Sequence, residues 1–270
     1  MTERKRIACF FSGGYTEFNA MKSFFEKINP RLEYIRLCPI ASRKSNAVIR
    51  ERNISSLSTE TNGRTGESLI NYVLSQVEKN FFQREAYDAI IIEDDKDNRF
   101  LDITTGGTGA IDLQGWEDYQ KQTQEKLVAK GVDVPIFYFL AAPEVEAWFA
   151  ADFDNSFGNA YQSILKEHNS FFMTNFRRYL NHEILTEVYA DEIEAYSYFN
   201  GQYRKLSDEL QYALKCQEFL PDAEKTFLSA NIEYKKTKNG SEMLRSIQPE
   251  KVADKCRVFF RNSYYELQRL

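Results

Sequence analysis

Glu93, Asp94, Asp95 and Asp97 follow directly on the apolar run Ala89 to Ile92. Acids crowded this closely repel one another, and Mg²⁺ or Mn²⁺, hard cations that take oxygen ligands, would relieve the repulsion. A solvated acidic loop with Lys96 and Arg99 as partners accounts for the same residues. The local sequence leaves both open. Another carboxylate favours the metal. Over a helix expected from residue 143 to about 153, wheel geometry lines Glu146 up with Ala150 and Phe153, on the side of Val145 and Phe149. A carboxylate on an apolar face needs a cation, either a metal or a Lys or Arg. Glu144 and Asp152 lie near the ends of that helix, where Glu144 also complements the N-terminal dipole.

Phosphate chemistry is suggested at two further places. Ser12-Gly13-Gly14 reads as a tight turn between a strand and a helix, and Lys235, Lys236 and Lys238, ending at Gly240, read as a basic turn. Such a turn can grip a phosphate or neutralise charge during phosphoryl transfer; an exposed basic turn with no ligand fits it equally. Tyr203, Tyr212, Tyr234, Tyr264 and Tyr265 offer rings for base stacking, or fill a helical core. Gly106 to Gly109 lacks the Lys-Ser/Thr of a Walker loop and reads as a connection. His168 and His182 give no basis for a Ser-His-Asp arrangement. Cys9, Cys38, Cys216 and Cys256 form no CxxC pair, which argues against zinc or a disulfide framework and for reduced thiols in a cytoplasmic protein.

A scaffold must bring these residues to one edge. Expected strands over residues 7–11, 32–40, 89–92 and 134–140 alternate with expected helices over 16–28, capped by Thr16, and over 67–79, 116–130 and 143–153. Continuous apolar strands alternating with helices predict an α/β fold, a mostly parallel sheet with helices on both faces. In such sheets functional groups gather at the carboxyl edge, where Ile90-Ile91-Ile92 deliver the acids. Residues 1–155 are expected to form this domain, and 156–270 a helical C-terminal region packed on it, without a further strand. The polar stretch 41–65, with Arg43, Lys44, Arg50 and Arg52, reads partly as loop. A length of 270 residues suffices for a full core, and 16 Tyr with 21 Phe argue against disorder. The longest apolar run, Val134 to Ala142, covers about half a membrane span, and no signal-peptide pattern opens the chain. Net charge of −5 disfavours a nucleic-acid coating protein, yet nine Lys/Arg against five acids between Asn231 and Leu270 leave a local surface for a phosphate backbone.

Three segments carry a resemblance: Ser12-Gly13-Gly14-Tyr15-Thr16-Glu17, Ile92-Glu93-Asp94-Asp95-Lys96-Asp97, and Pro143-Glu144-Val145-Glu146-Ala147-Trp148-Phe149-Ala150-Ala151-Asp152. In this order the chain resembles TOPRIM-fold proteins, in particular a bacterial TOPRIM-like family related to OLD-type and RloB-type nucleases. The likeness reaches Tyr234-Lys235-Lys236-Thr237-Lys238-Asn239-Gly240, and Glu-Ala-Trp is its most specific part. It implies Mg²⁺-dependent cleavage of DNA or RNA, with one or two metals drawn from Glu17, Glu93, Asp94, Asp95, Asp97 and Glu146. Asp95 and Asp97 match the family's Asp-x-Asp, with Glu93 and Asp95 as the other register. Glu17, Asp95, Asp97 and Glu146 then carry catalysis, and Ser12, Gly13, Gly14, Lys235, Lys236 and Lys238 contact substrate. An ATPase partner in anti-phage defence is also implied.

One departure opens two alternatives. The family's glutamate at the glycine turn falls at Ser12 or Gly13, while Glu17 matches the second acid of Glu-Gly-x-x-Glu. A catalytically degenerate module that binds a partner would tolerate this loss. Ser-Gly-Gly also resembles the opening of the PP-loop of ATP pyrophosphatases, which cradles phosphate at a helix N-terminus. Thr16-Glu17 stands where those enzymes carry Asp-Ser.

Overall fold

A side-chain period of two decides which residues each face of the sheet buries. The computed structural model describes residues 4–39, 63–78, 86–97, 99–102, 110–179, 193–195, 198–199, 202–203, 205–215 and 232–270. Four strands, β1 (Arg6–Phe11), β2 (Glu33–Cys38), β3 (Ala89–Asp95) and β4 (Ile136–Ala141), form one sheet in the order β2-β1-β3-β4. Every pairing is parallel, with Cys9 opposite Ile91 and Ile91 opposite Phe137. Ile7, Cys9, Phe11, Ala89, Ile91, Phe137 and Phe139 enter one core, and Ala8, Phe10, Ile90, Ile92, Tyr138 and Leu140 the other. Burial on both faces is why β1, β3 and β4 carry unbroken apolar runs, whereas β2 at the sheet edge is mostly half-buried.

Helix α1 (Tyr15–Glu26) covers the first face through Ala20, Met21, Phe24 and Phe25. Helices α2 (Gly66–Glu78) and α3 (Leu113–Val128) cover the second through Leu69, Val73, Trp116 and Leu127. Asp112 starts α3 by accepting the Gly115 N–H at 2.9 Å, which places the start three residues before the expected Trp116. A short helix, α4 (Glu146–Ala151), follows β4.

The chain after α4 returns to the same first core. Helices α5 (Asn169–Tyr179), α6 (Leu206–Leu214), α7 (Ser241–Ser246), α8 (Pro249–Lys255) and α9 (Arg261–Arg269) contribute Phe172, Phe176, Leu210, Leu244, Val252 and Leu267 to it. Trp148 is stacked on Phe24 at 5.3 Å and meets Phe260 edge-on at 5.0 Å, so α1, α4 and the segment before α9 share one aromatic contact. At the edge of β4, the Leu140 N–H donates to the Phe259 carbonyl at 3.1 Å. Phe259 then packs into the second core while Phe260 packs into the first.

Three expectations are corrected. Pro143 does not open a helix: it follows a cis Ala142-Pro143 bond, and α4 begins only at Glu146. Gly14, not Thr16, caps α1, because the Glu17 carboxylate folds back to accept the Gly14 N–H and so supplies the helix end with its acceptor. The C-terminal region contains a two-residue antiparallel ladder, Tyr198–Phe199 with Gln202–Tyr203. A second such ladder pairs Leu101–Asp102 with Ala110–Ile111. Most of the polar stretch, residues 41–62, lies outside the described residues, as do Gly106 to Gly109, His182 and Cys216. Among the described residues no helix is long and apolar enough to cross a membrane.

Phe260→Ala is expected to lower the unfolding free energy by about 3–5 kcal/mol, the range for emptying a buried aromatic site. Tyr265→Ala, on the exposed side of α9, should change it by about 0.5 kcal/mol or less. Urea denaturation of both variants checks the difference, and equal effects would contradict the packing described.

Candidate functional site

Strand β3 carries its alternation straight into the acids. Glu93 and Asp95 continue the Ile91 side toward α1 and α4, whereas Asp94 continues the Ile92 side toward α2. Asp94 is neutralised there: its Oδ2 accepts the Gly66 N–H at 2.8 Å and the Arg99 guanidinium at 2.6 Å. Glu93 is fully buried, and the Ser12 N–H donates to its Oε2 at 3.1 Å.

The glycine turn positions the next carboxylate. The Gly14 N–H donates to Glu17 Oε2 at 2.8 Å, and a Cβ added to Gly14 would stand 2.9 Å from that oxygen. A side chain at position 14 would displace the Glu17 carboxylate from this contact. Glu146 enters from the first turn of α4 and accepts the Tyr234 hydroxyl at 2.5 Å.

Lys236 comes from a distant part of the chain. Its Nζ lies 3.6 Å from Glu146 Oε2, 3.8 Å from Asp95 Oδ2 and 3.8 Å from Glu144 Oε2. The backbone beneath it is fixed separately, because the Thr16 hydroxyl donates to the Lys236 carbonyl at 3.0 Å. Gly240 permits this approach: a Cβ there would meet Thr16 Oγ1 at 2.3 Å.

Charge is not balanced in this cluster. Glu17, Asp95, Glu144 and Glu146 all act on the single Lys236 ammonium, and Glu17 and Asp95 also act on Glu93 behind them. Burial, then repulsion from Glu17, Asp95 and Asp94, pushes the Glu93 carboxyl well above its ordinary range. Burial likewise raises Asp95, with Lys236 opposing and Glu17, Glu146 and Glu144 reinforcing the rise. Glu146 is pushed up to about 7, chiefly by burial and against the pull of Lys236. For Lys236 burial disfavours the ammonium, but Asp95, Glu146, Glu17 and Glu144 outweigh it and hold the group above its ordinary value. Glu17 Oε1, Asp95 Oδ1 and Glu146 Oε2 are buried with no hydrogen-bond partner. Buried oxygens in that condition are costly unless a cation serves them. Among the described residues no three His, Cys, Asp or Glu side chains form a ready-made metal-ligating group; the cation within reach is Lys236.

Of the residues singled out in the sequence, Glu17, Glu93, Asp95, Glu144, Glu146 and Lys236 come together, with Ser12, Gly13 and Gly14 forming the turn beside them. Asp97 lies past the end of β3 at a φ of 50°, its N–H donating to the Pro143 carbonyl at 2.8 Å and its charge acting on Lys96. Lys235 and Lys238 are exposed on the turn after Tyr234, and Lys235 pairs with Glu233 at 2.9 Å. Asp152 accepts the Gln248 N–H at 2.7 Å and so ties α4 to α8. His168 stands 3.6 Å from Glu167, away from the cluster's elements.

Tyr234 and Thr16 have roles that the sequence did not reveal. Tyr234 is buried against Glu146, not offered to a base, and Thr16 reaches the Lys236 backbone. The spacing Tyr234-x-Lys236 is the one available signal, since residues two apart in extended backbone share a face. No family model, no curated protein and no solved structure matches the chain.

Between the ordinary carboxyl value of 4.5 and about 7, folded Glu146 holds a proton that the unfolded chain has already released. Raising pH through that window therefore removes stability, and the raised Glu93 and Asp95 act in the same direction. Urea midpoints should fall from the acid to the neutral side of the window, and Glu146→Gln should flatten the fall. A midpoint that rises across the window, or an unchanged slope in the variant, would contradict the charge imbalance.

Proposed function

We propose that this chain is a TOPRIM-like, Mg²⁺-dependent nuclease that cleaves phosphodiester bonds of DNA or RNA. One observation carries the reading: carboxylates from the β1 turn, the β3 end and α4 converge at the carboxyl edge of a parallel sheet, with buried oxygens of Glu17, Asp95 and Glu146 lacking partners. The donor set is all oxygen, which suits Mg²⁺ or Mn²⁺. Glu17, Asp95 and Glu146 would hold the ion, with Glu93 behind them. Bound there, the metal would supply Lewis acidity and lower the pKa of water.

The chain's own groups prepare that chemistry. Ser12 pins both oxygens of Glu93, while Gly14 pins Glu17 and the Tyr234 hydroxyl pins Glu146, so Glu17 and Glu146 each keep one oxygen tied and present the other. Lys236 stays cationic at neutral pH and suits a phosphate oxygen, while Lys235 and Lys238 extend positive charge along the exposed turn. An ATPase partner and a role in anti-phage defence follow from the motif resemblance alone.

A second reading is a degenerate module that binds a partner without cleaving. Ser12 or Gly13 at the family's glutamate position, and Lys236 already among the carboxylates, favour it. The PP-loop reading draws less support, because the Ser12 N–H is already shared between the Glu93 carbonyl at 2.8 Å and the Glu93 carboxylate at 3.1 Å.

Cleavage of labelled single- and double-stranded DNA and RNA with Mg²⁺ or Mn²⁺ tests the proposal. Asp95→Asn is expected to lose at least about 100-fold, the upper end for groups that only support a metal ligand, while Asp97→Asn should stay within about tenfold of wild type. Wild-type-level cleavage by Asp95→Asn would overturn the assignment. No cleavage by the wild type with either metal, together with a stable complex with a larger ATPase, would favour the degenerate module.

A further inference from the structure

The cation already among these carboxylates belongs to the chain itself, and its seating is loose. Charge-assisted N–H···O contacts close to about 2.7–2.9 Å, yet Lys236 Nζ stands 3.6–3.8 Å from Glu146, Asp95 and Glu144. The ammonium is held by charge without a short hydrogen bond to any of the three, and Glu146 Oε2 and Asp95 Oδ1 stay without a hydrogen-bond partner. Glu146 is fully buried and Glu17 is 1% exposed, so neither carboxylate can escape to water.

Exposure shows which partner can leave. The Lys236 side chain keeps 35% of its surface exposed, against 16% for Asp95, 8% for Glu144 and 0% for Glu146. It reaches in from the solvent side on a flexible four-carbon stem. Its backbone does not depend on that contact. Thr16 holds the Lys236 carbonyl, and the Lys235 carbonyl accepts the N–H groups of Lys238 at 2.9 Å and Asn239 at 2.8 Å.

We propose that Lys236 is a displaceable internal counter-ion: a divalent cation competes with its ammonium for Asp95, Glu144 and Glu146, and metal loading turns the lysine outward to contact phosphate. This rests on the metal reading of the same cluster. Two cations cannot share the position without strong repulsion, and a doubly charged ion serves several buried carboxylates better than one ammonium does. In the absence of metal, Lys236 keeps the carboxylates from facing one another uncompensated. With metal in place, the displaced lysine remains at the site's rim, so metal binding precedes a full grip on phosphate. No bond is made or broken in this exchange.

Mn²⁺ affinity of the full chain, followed by the paramagnetic resonance of the free ion, tests the competition directly. Lys236→Met is expected to bind Mn²⁺ at least tenfold tighter than wild type, with Lys235→Met unchanged. Equal or weaker binding by Lys236→Met, with wild type binding measurably, overturns the competition but leaves the metal reading standing. Absence of Mn²⁺ binding by either protein overturns both. If Lys236→Met does not fold, acylation of wild-type lysines mapped by mass spectrometry decides: the labelling of Lys236 relative to Lys235 should rise several-fold on adding Mn²⁺, and an unchanged or lower ratio overturns the proposal.

Discussion

One ammonium group among several buried carboxylates is the constraint on which this structure turns. Glu17, Glu93, Asp95 and Glu146 are brought together by the sheet edge and α4, and burying like charges is costly unless an opposite charge accompanies them. Lys236 is that charge, and it lies more than 200 residues from Glu17 along the chain. The carboxyl edge of the sheet is therefore tolerable only once the C-terminal segment has docked. That docking is driven elsewhere, by Trp148, Phe24 and Phe260 in the shared core and by Phe259 at the edge of β4. Apolar packing sets the position, and the ion cluster uses it.

The same division explains what could be read from the residues beforehand. Period-two burial made the strands visible, because β1, β3 and β4 are covered on both faces and carry unbroken apolar runs. Glu146 was visible for a related reason, since a carboxylate among Val145, Phe149 and Phe153 stands out against its face. The four acids around Asp95 did not sort themselves as easily. Continuing the strand's alternation through residue 95 separates Asp94, turned to Gly66 and Arg99, from Glu93 and Asp95, turned to the cluster. Where β3 would end could not be fixed from propensity, so Asp97 and Asp95 looked equivalent.

Other features were hidden because they depend on contacts distant in sequence. Beyond its two-residue spacing from Tyr234, nothing local distinguishes Lys236 from Lys235 or Lys238; the Thr16 hydroxyl at its carbonyl and the close approach of Gly240 make the choice. Tyr234 had the composition of a stacking residue and the position of a buried hydrogen-bond donor. Pro143 signalled a helix start, but α4 begins only at Glu146. Glu144 is thereby left outside the helix, with one oxygen accepting the Ser207 N–H at 2.8 Å and the other facing Lys236.

Function depends on whether this balance is final or provisional. With Lys236 as permanent partner the cluster is a structural device joining the C-terminal segment to the sheet; with Lys236 as a stand-in it is a metal site at rest. The buried oxygens of Glu17, Asp95 and Glu146 that no hydrogen bond satisfies favour the second. Diffraction from crystals soaked in Mn²⁺, with data collected for the metal's anomalous signal, separates the two most directly. The expected result is a peak with oxygens of Asp95, Glu146 and Glu17 within about 2.5 Å, the outer range for oxygen ligands of hard divalent ions, and Lys236 moved away. A cluster with no anomalous peak and Lys236 still between Asp95 and Glu146, or a metal bound instead through Asp94 and Asp97, would contradict it.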